Sequence, residues 1–449
     1  MKNKQLYISL LGLTILLSAG CSSFLDVKSD KSLAVPTTLD DYQAILNEVD
    51  NFLAPPEGEI MSADHYLPDQ TYDAIACQTS KDLYRWIDNL QIDNCMVNGW
   101  ALAYKNIYKA NVAINGIKDI ENSQPASDLS SNIKGQAHFI RGINYFELAQ
   151  IWLNAYSGEE SRTKLGLPLK FSSDFNEATK RATLGETFDQ ILVDLYEAER
   201  FLPLSSANLY LPAKPAVWAY LAKVYLYLHN YELANTYAAK CLDAGYQLMD
   251  YSTVDGTPTF PFKLLANSEI IYARFLSSSG SPASLFTNGV SPQLYEMYED
   301  DDFRKTLFFR YMSNRNIFRG DYNSGSGGNF CGPTIAEMYL ILAETHYRMG
   351  DLIEARKYLS DFQAVRKSRV PTYADSELLD AILLERRKEL LYRGIRFGDV
   401  KRLNILGEGI TLKRSIREQE YALPPNDPKS TLLIPQLVIE KSGIEQNPR

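Results

Sequence analysis

Cysteine and histidine are scarce in this chain of 449 residues, which has five cysteines and four histidines. No CxxC pair occurs, so the sequence predicts neither a disulfide framework nor a zinc site. The spacing alone leaves a bridge between Cys77 and Cys95 open. Glu344 and His346 are too close in sequence for a helical metal pair, which needs i,i+3 or i,i+4 spacing. We therefore predict no metal ion and no cofactor.

Familiar catalytic motifs are also missing. The chain has no GxSxG turn, no HExxH motif and no glycine-rich phosphate loop after a strand. The 46 Lys and Arg are outnumbered by 55 Asp and Glu, which gives a formal charge of −9. This deficit argues against nucleic acid as a partner, because phosphate binding needs a basic surface. We predict a binding protein without catalytic residues, and we keep an enzyme as a third hypothesis because a carboxylate pair for glycoside cleavage needs no local motif.

Long apolar runs are absent outside the N-terminus. Two lysines there precede the apolar residues 6–17, which are too few to span a bilayer and have the length of a signal-peptide core. The run ends in the segment 17–21, LSAGC, which resembles a bacterial lipobox. We predict that residues 1–20 form a lipoprotein signal peptide and that Cys21 is lipidated. The alternative is an ordinary secretory signal followed by a chance cysteine.

Apolar residues recur at helical spacing along much of the mature chain. Long helices are predicted at 99–120, 131–153 and 183–202. Two later segments, 213–245 and 333–367, match at seven positions with identical offsets and have a turn at the same place. Such a match is typical of tetratricopeptide repeats. We predict an all-α fold with tetratricopeptide-like helix pairs, long irregular loops and minor β structure.

The segment 245–333 between the two repeats is rich in Gly, Ser, Pro and Asn. A loop region of this length inside a compact protein is usually functional or has irregular structure of its own. A short strand is predicted at 269–275 and a helix at 292–298. The acidic run 299–302 suggests a calcium site but lacks EF-hand spacing, so we favour a solvated helix end and keep calcium binding as the alternative.

The stretch 379–403 is predicted to be an amphipathic helix interrupted by a glycine. Arg386 falls on its apolar face, where an unpaired charge would be costly. Glu385, Glu389 and Asp399 are near enough in sequence to pair with it. We predict a structural ion pair among these four residues.

Five short motifs occur in order along the chain. They are W-x3-Y-x2-I-x3-N from Trp100 to Asn111, a helix motif with Phe139, Arg141 and Tyr145, the segment Asp302-Phe303-Arg304, a helix motif with Glu385, Arg386 and Glu389, and the closing Gln446-Asn447-Pro448. In this order they resemble the SusD/RagB family of surface lipoproteins. The resemblance implies one SusD-like domain over 21–449, with an N-terminal half of about 21–205 and a C-terminal half of about 206–449.

The same resemblance implies a function. It suggests a cell-surface nutrient-binding lipoprotein that captures a glycan or oligosaccharide and delivers it to a SusC-like TonB-dependent transporter. The expected location is the outer membrane, through a lipid anchor and facing the cell exterior. Two alternatives are a tetratricopeptide-type scaffold for protein partners in the envelope and a peptide-binding relative. The sequence does not identify the ligand.

Ligand specificity is expected to come from loops, because repeat helices use their side chains for packing. Two regions, 66–86 and 311–329, combine aromatic and polar side chains with glycine. We expect Trp86 and Tyr322 to stack on sugar rings and Arg319 or Asn314 to donate hydrogen bonds. The alternative for Trp86 is a core plug. The full set of predicted ligand-binding residues is Tyr72, Tyr84, Trp86, Asn314, Arg315, Phe318, Arg319 and Tyr322.

Overall fold

The fold is dominated by helices, which make up 51% of the structure against 10% for strands. The prediction of an all-α fold with minor β structure is confirmed. Within the part of the chain described, no helix combines the length and the apolar character needed to cross a membrane. The computed structural model describes residues 36–88, 98–174, 177–277, 289–325 and 328–449.

The cysteines of the described residues differ in oxidation state. Cys77 is disulfide-bonded, whereas Cys241 and Cys331 carry free thiols. Burial raises the pKa of both free thiols, so we expect them to be unreactive. Cys95, the bridge partner considered from the spacing, lies outside the described residues, and so do the predicted signal peptide and Cys21.

The described residues contain sixteen helices, labelled α1 to α16 in chain order. They are Leu39–Leu46, Glu57–Ile60, Asp69–Ala74, Gln78–Tyr84, Gly99–Glu121, Asp128–Trp152, Leu184–Phe201, Lys214–Tyr227, Tyr231–Leu242, Pro292–Tyr295, Phe303–Leu307, Ile335–Arg348, Leu352–Ala364, Leu378–Glu389, Arg396–Ile405 and Gln436–Ser442.

Side-chain caps decide where the long helices begin. The Ser127 hydroxyl accepts a hydrogen bond from the Ser130 backbone amide at 3.0 Å, which forms a capping box at the start of α6. Thr183 and Glu186 form the same motif at the start of α7. The helix predicted at 131–153 therefore begins at Asp128, because the cap precedes the first apolar position of the periodic pattern.

The two predicted repeats are two pairs of packed helices, α8 with α9 and α12 with α13. The chain turns between the paired helices at His229 and Gly350, whose φ angles are +60° and +85°. Alanines such as Ala222 and Ala343 are fully buried, which lets the helices approach closely. Helix α9 also packs on α12, so the two pairs form one stack.

The strands are short and form small sheets. The prediction of a strand at 269–275 is largely wrong, because Ile270 makes only a single bridge to Thr334 and regular pairing begins at Phe275. Two hairpins, at 309–318 and 412–423, were not predicted. The strands of the described residues, β1 to β10, are Leu53–Ala54, His65–Tyr66, Leu165–Pro168, Arg181–Thr183, Phe275–Leu276, Gly289–Val290, Phe309–Met312, Arg315–Phe318, Leu412–Ile416 and Gln419–Leu423.

The amphipathic stretch 379–403 is divided into α14 and α15. Gly394 lies between them with a φ of +71°, and its amide donates to the Glu59 carboxylate at 2.8 Å. A left-handed residue is most easily supplied by glycine, and a Cβ here would also lie 2.9 Å from a methyl carbon of Leu276. Tyr392, with a φ of +61°, and Gly394 therefore both contribute to the break between the two helices.

Arg386 is buried and contacts two carboxylates. Its Nε donates to Asp399 Oδ2 at 2.8 Å, and its NH2 lies 3.3 Å from Glu337 Oε1. Glu385 and Glu389, the other two carboxylates considered from the sequence, bind different cations. Glu385 immediately precedes Arg386 on the helix, and adjacent residues do not share a face.

Glu385 and Glu389 belong to a second buried ionic cluster. Glu385 pairs with Arg304 and lies 2.8 Å from Lys367, while Glu389 lies 2.9 Å from Arg366. Asp302 joins this cluster at 2.7 Å from Arg304. The end of the acidic run 299–302 is therefore a buried ion-pair residue, and its interpretation as a solvated helix end was wrong at this position.

Candidate functional site

One four-stranded sheet joins the two regions that were predicted to bind ligand. Its strand order is β2-β6-β8-β7. Tyr66 on β2 pairs with Gly289 on β6, and Gly289 pairs with Ile317 on β8. The regions 66–86 and 311–329 are far apart in sequence, but β6 places parts of both on one surface.

The β7–β8 hairpin has a two-residue turn. Met312 pairs with Arg315, and the intervening Ser313 and Asn314 have φ angles of +52° and +62°. Two left-handed residues in a row are typical of a type I′ turn, whose twist matches that of the flanking strands. Neither residue is glycine, so the turn carries backbone strain and presents two polar side chains.

Tyr311 stands beside this turn and exposes 68% of its surface. Its hydroxyl donates to Asn314 Oδ1 at 2.7 Å. This bond fixes the ring, while most of the ring surface stays open to solvent. The Asn314 amide nitrogen has no protein acceptor among the described residues, so it is available to donate to a ligand.

The outer face of the same sheet carries Tyr66, which is 38% exposed, and Arg315. Both side chains crowd over Gly289, where a Cβ would lie 3.0 Å from Arg315 Cδ and 3.3 Å from Tyr66 Cδ1. Strand pairing puts Arg310 on this face as well. Tyr311 pairs with Asn316 and therefore points to the opposite face of the hairpin. We call the residues around the hairpin tip, Tyr66, Arg310, Tyr311, Asn314 and Arg315, the hairpin surface.

The hairpin surface lies in a basic stretch of an acidic protein. Between Asp302 and Asp321 the chain has five Lys or Arg and no acidic residue. Arg310 is exposed and, within the described residues, has no carboxylate at ion-pair distance. Burial, with Arg310 nearby, lowers the pKa of Arg319. The hairpin surface therefore carries Tyr66 and guanidinium groups on one face, and the Tyr311 ring with the Asn314 amide donor on the other.

The five predicted aromatic residues are buried instead. Trp86 exposes 3% of its surface, its Nε1 donates to the Met61 carbonyl at 3.1 Å, and the Arg414 guanidinium lies 4.9 Å from its ring. The same guanidinium lies 3.8 Å from the ring of Tyr84. Tyr72 is buried in the same apolar cluster. These rings have no free face for a sugar, and Trp86 fits the alternative of a core plug.

Tyr322 and Phe318 belong to a second core cluster. Tyr322 exposes 1% of its surface, and its hydroxyl donates to Glu269 Oε2 at 2.9 Å. The Arg393 guanidinium covers its ring at 4.2 Å. The structure therefore gives no support to the expectation that Tyr322 stacks on ligand, because a stacking ring needs one uncovered face.

The two predicted hydrogen-bond donors differ in their surroundings. Arg319 already donates to three backbone carbonyls, those of Gly256, Pro258 and Thr306, at 2.7–3.0 Å. It ties neighbouring loops together. Asn314 is exposed at the hairpin turn and keeps its amide donor. Of the two, Asn314 is the better placed to meet a ligand.

Tyr66, Arg310 and Tyr311 were not named individually from the sequence. A signal for the hairpin was present, because the polar pair Ser313-Asn314 is flanked by residues of high strand propensity. Within the described residues, no group of three or more His, Cys, Asp or Glu side chains is arranged to hold a metal ion.

Two family models match the chain. One, for SusD-like proteins, is described as starch-binding associating with outer membrane, and it matches residues 23–226. The other is described as the SusD family and matches residues 297–430. The chain belongs to the SusD family. The first match crosses the boundary inferred near residue 205, so the division of this SusD-family protein into two halves stays a prediction.

Curated relatives match this SusD-family chain over shorter stretches. SusD-like protein P38 of Formosa agariphila is 34% identical over 137 residues, which are 30% of this chain and 24% of that protein. SusD-like protein P2 of the same species is 31% identical over 148 residues, 32% of this chain and 26% of that protein. Each match thus spans about a quarter of the relative's own length.

Solved structures match the SusD-family fold over nearly the whole chain. A SusD superfamily protein from Bacteroides thetaiotaomicron has a TM-score of 0.73 at 23% identity, with 92% of this chain and 100% of that chain covered. A putative sugar binding protein from Bacteroides vulgatus has a TM-score of 0.71 at 21% identity, with 92% and 99% covered. At these identities the likeness establishes the fold.

Proposed function

We propose that this chain is a cell-surface nutrient-binding lipoprotein that captures a glycan or oligosaccharide on the hairpin surface. Family membership supports a binding role, and the descriptions starch-binding and sugar binding belong to a family model and to a structural neighbour. The proposal assigns the lipid anchor to Cys21 and the location to the outer membrane. It also assigns delivery of the ligand to a SusC-like TonB-dependent transporter.

The observation that carries the proposal is the exposed ring of Tyr311. It exposes 68% of its surface while its hydroxyl is held by Asn314 at 2.7 Å. A fixed, exposed ring loses little conformational entropy when it stacks on the apolar face of a sugar. The Asn314 amide beside the ring supplies a donor for sugar hydroxyl groups, and Arg310 offers further donors on the opposite face of the hairpin. Glycan binding therefore needs no rearrangement of the core.

The test is a binding screen by isothermal titration calorimetry on the mature protein. The probes are maltoheptaose, xylohexaose, a β-1,3-glucan hexasaccharide and an unstructured decapeptide. We expect one oligosaccharide to bind, and Tyr311→Ala to weaken that binding about five- to tenfold, since a stacking contact contributes on the order of 1 kcal/mol. Preferential binding of the decapeptide would identify a peptide, and not a glycan, as the ligand.

Tyr196→Ala is the matched control. Tyr196 lies on α7 and is 39% exposed, close to the exposure of Tyr66 on the hairpin surface. Its substitution should leave oligosaccharide affinity unchanged. If Tyr196→Ala and Tyr311→Ala had equal effects, or if none of the oligosaccharides bound, the glycan proposal would fail.

Partnership with a transporter needs a separate measurement. Tagged protein is purified from detergent-solubilised membranes of the native host, and the copurifying proteins are identified. We expect a large TonB-dependent barrel at near-equal amounts. Recovery of periplasmic assembly factors instead would favour the tetratricopeptide scaffold hypothesis.

A further inference from the structure

A cavity of about 310 Å³ lies beside helix α15. One face of α15 forms one wall, with Phe397, Lys401 and Asn404 at helical spacing. The facing walls come from the loop after α6, at 154–164, and from the loop after β10, at 424–431. None of the lining residues belongs to the hairpin surface.

Lys401 is the unusual residue of this cavity. It is 5% exposed, and its Nζ donates to the backbone carbonyls of Gln150 at 2.9 Å and Leu153 at 2.6 Å. These carbonyls lie at the C-terminal end of α6, where the helix dipole supplies only about half a negative charge. Within the described residues, no carboxylate lies at ion-pair distance from Lys401.

The other buried lysines of the described chain differ in this respect. Lys109 lies 2.9 Å from Glu48, Lys367 lies 2.8 Å from Glu385, and Lys388 lies 2.7 Å from Glu299. Each therefore has a counter-ion, as buried charges usually do. Burial lowers the pKa of Lys401 to about 7, which reflects its missing partner.

The remaining charges around the cavity favour an anion. Lys164 and Arg449 line it; Lys164 has no ion pair in the described part of the chain, whereas Arg449 is paired with Asp88 at 2.7 Å. Asp427 is the single acidic lining residue, and its carboxylate already accepts a hydrogen bond from the Lys429 amide at 2.9 Å. The volume is at the low end of the range of small-molecule sites, about 300–1,000 Å³. A ligand the size of one sugar unit would fit.

We infer that this cavity binds a small organic anion of monosaccharide size, whose carboxylate or sulfate group pairs with the Lys401 ammonium. The third N–H of Lys401 donates to the anion, and Lys164 contributes further attraction. The site is independent of glycan binding at the hairpin surface. An acidic sugar unit carries the required chemistry, either as a uronate or as a sulfate ester.

The test is calorimetry on the mature protein at pH 6.5, where the lysine is mostly protonated. The probes are glucuronate, glucose 6-sulfate and neutral glucose. We expect at least one of the two anions to bind more than tenfold tighter than glucose, because a charge-assisted bond in a buried site contributes about a factor of ten or more. Whichever anion binds more tightly identifies the acidic group.

Three variants complete the test. Lys401→Met should weaken anion binding about tenfold or more, and Lys118→Met, at an exposed lysine of α5, should not change it. Ala155→Phe narrows the cavity from the opposite wall without altering Lys401, so it should abolish binding even if Lys401→Met folds poorly. Anions that bind no better than glucose, or that bind Ala155→Phe as well as the parent, would overturn the inference. Hairpin-surface variants should leave this site intact, so its failure and that of the glycan proposal are distinguishable.

Discussion

Replacement of Arg386 by leucine probes the buried ion pairs that join α14 to α12 and α15. The arginine bridges two elements, because its Nε donates to Asp399 on α15 at 2.8 Å and its NH2 lies 3.3 Å from Glu337 on α12. Against the cost of burial, its charge and that of Arg402 together depress the pKa of Asp399 to about 2. Arg386→Leu places an apolar side chain at this buried position and removes the charge together with its hydrogen bonds.

The magnitude follows from what the two carboxylates retain. Loss of one partner from a buried ion pair costs about 3–5 kcal/mol. Asp399 keeps Arg402 at 2.7 Å, and Glu337 keeps Lys223 at 3.4 Å, so neither carboxylate is left alone. We therefore expect the free energy of unfolding to fall by the lower end of this range, about 3 kcal/mol. For a chain of this length, this corresponds to a fall in Tm of about 3 °C.

The assay is thermal unfolding of the parent and of Arg386→Leu at two pH values. The depressed pKa of Asp399 contributes stability that is present above its unfolded value of about 4 and is lost as pH falls through about 2. The Tm difference should therefore shrink between pH 7 and pH 3. An unchanged Tm at pH 7, or a difference that grows at low pH, would refute the ion-pair argument.

Three further predictions concern single residues. Burial raises the pKa of Glu57 to about 7, so the parent protein loses stability as pH rises from about 4.5 to 7. Glu57→Gln keeps the acceptor for the Gly99 amide at 2.8 Å and removes the ionisable group. It should therefore stabilise the protein by about 2 kcal/mol more at pH 8 than at pH 5. Equal gains in urea unfolding at both pH values would contradict this. Trp86→Ala should lower stability by about 3–5 kcal/mol in urea unfolding without changing oligosaccharide affinity, because the ring is a buried core side chain. Cys21→Ala should move the protein out of the membrane fraction, and incorporation of labelled fatty acid at the parental level would show that lipidation occurs elsewhere.

The helical part of the fold was predictable because its signals are local. Helical spacing, caps such as Thr183 and the repeated alanines of the two pairs are each contained within a few turns of sequence. The four-stranded sheet was not predictable in the same way. Its pairs join Tyr66 to Gly289 and Gly289 to Ile317, and no local pattern specifies contacts over such sequence distances.

The sequence predicted the candidate site as two stretches, 66–86 and 311–329, but did not single out its exposed rings. The two stretches proposed for ligand binding do meet on one sheet, but composition does not separate a ring that packs from a ring that is exposed. Trp86 and Tyr322 are both covered by arginines that are distant in sequence, Arg414 and Arg393. The ring of Tyr311 is not covered in this way, because it lies beside the hairpin turn, beyond the edge of the core.

Hydrogen exchange of the mature protein, with and without the tightest-binding oligosaccharide, tests the central claim most directly. The hairpin surface predicts slower exchange of amides within 309–318 and around Tyr66, with exchange in the helix pairs at 214–242 and 335–364 unchanged. Slower exchange confined to the helix pairs, with the hairpin unaffected, would contradict the claim and would favour a repeat-type binding surface.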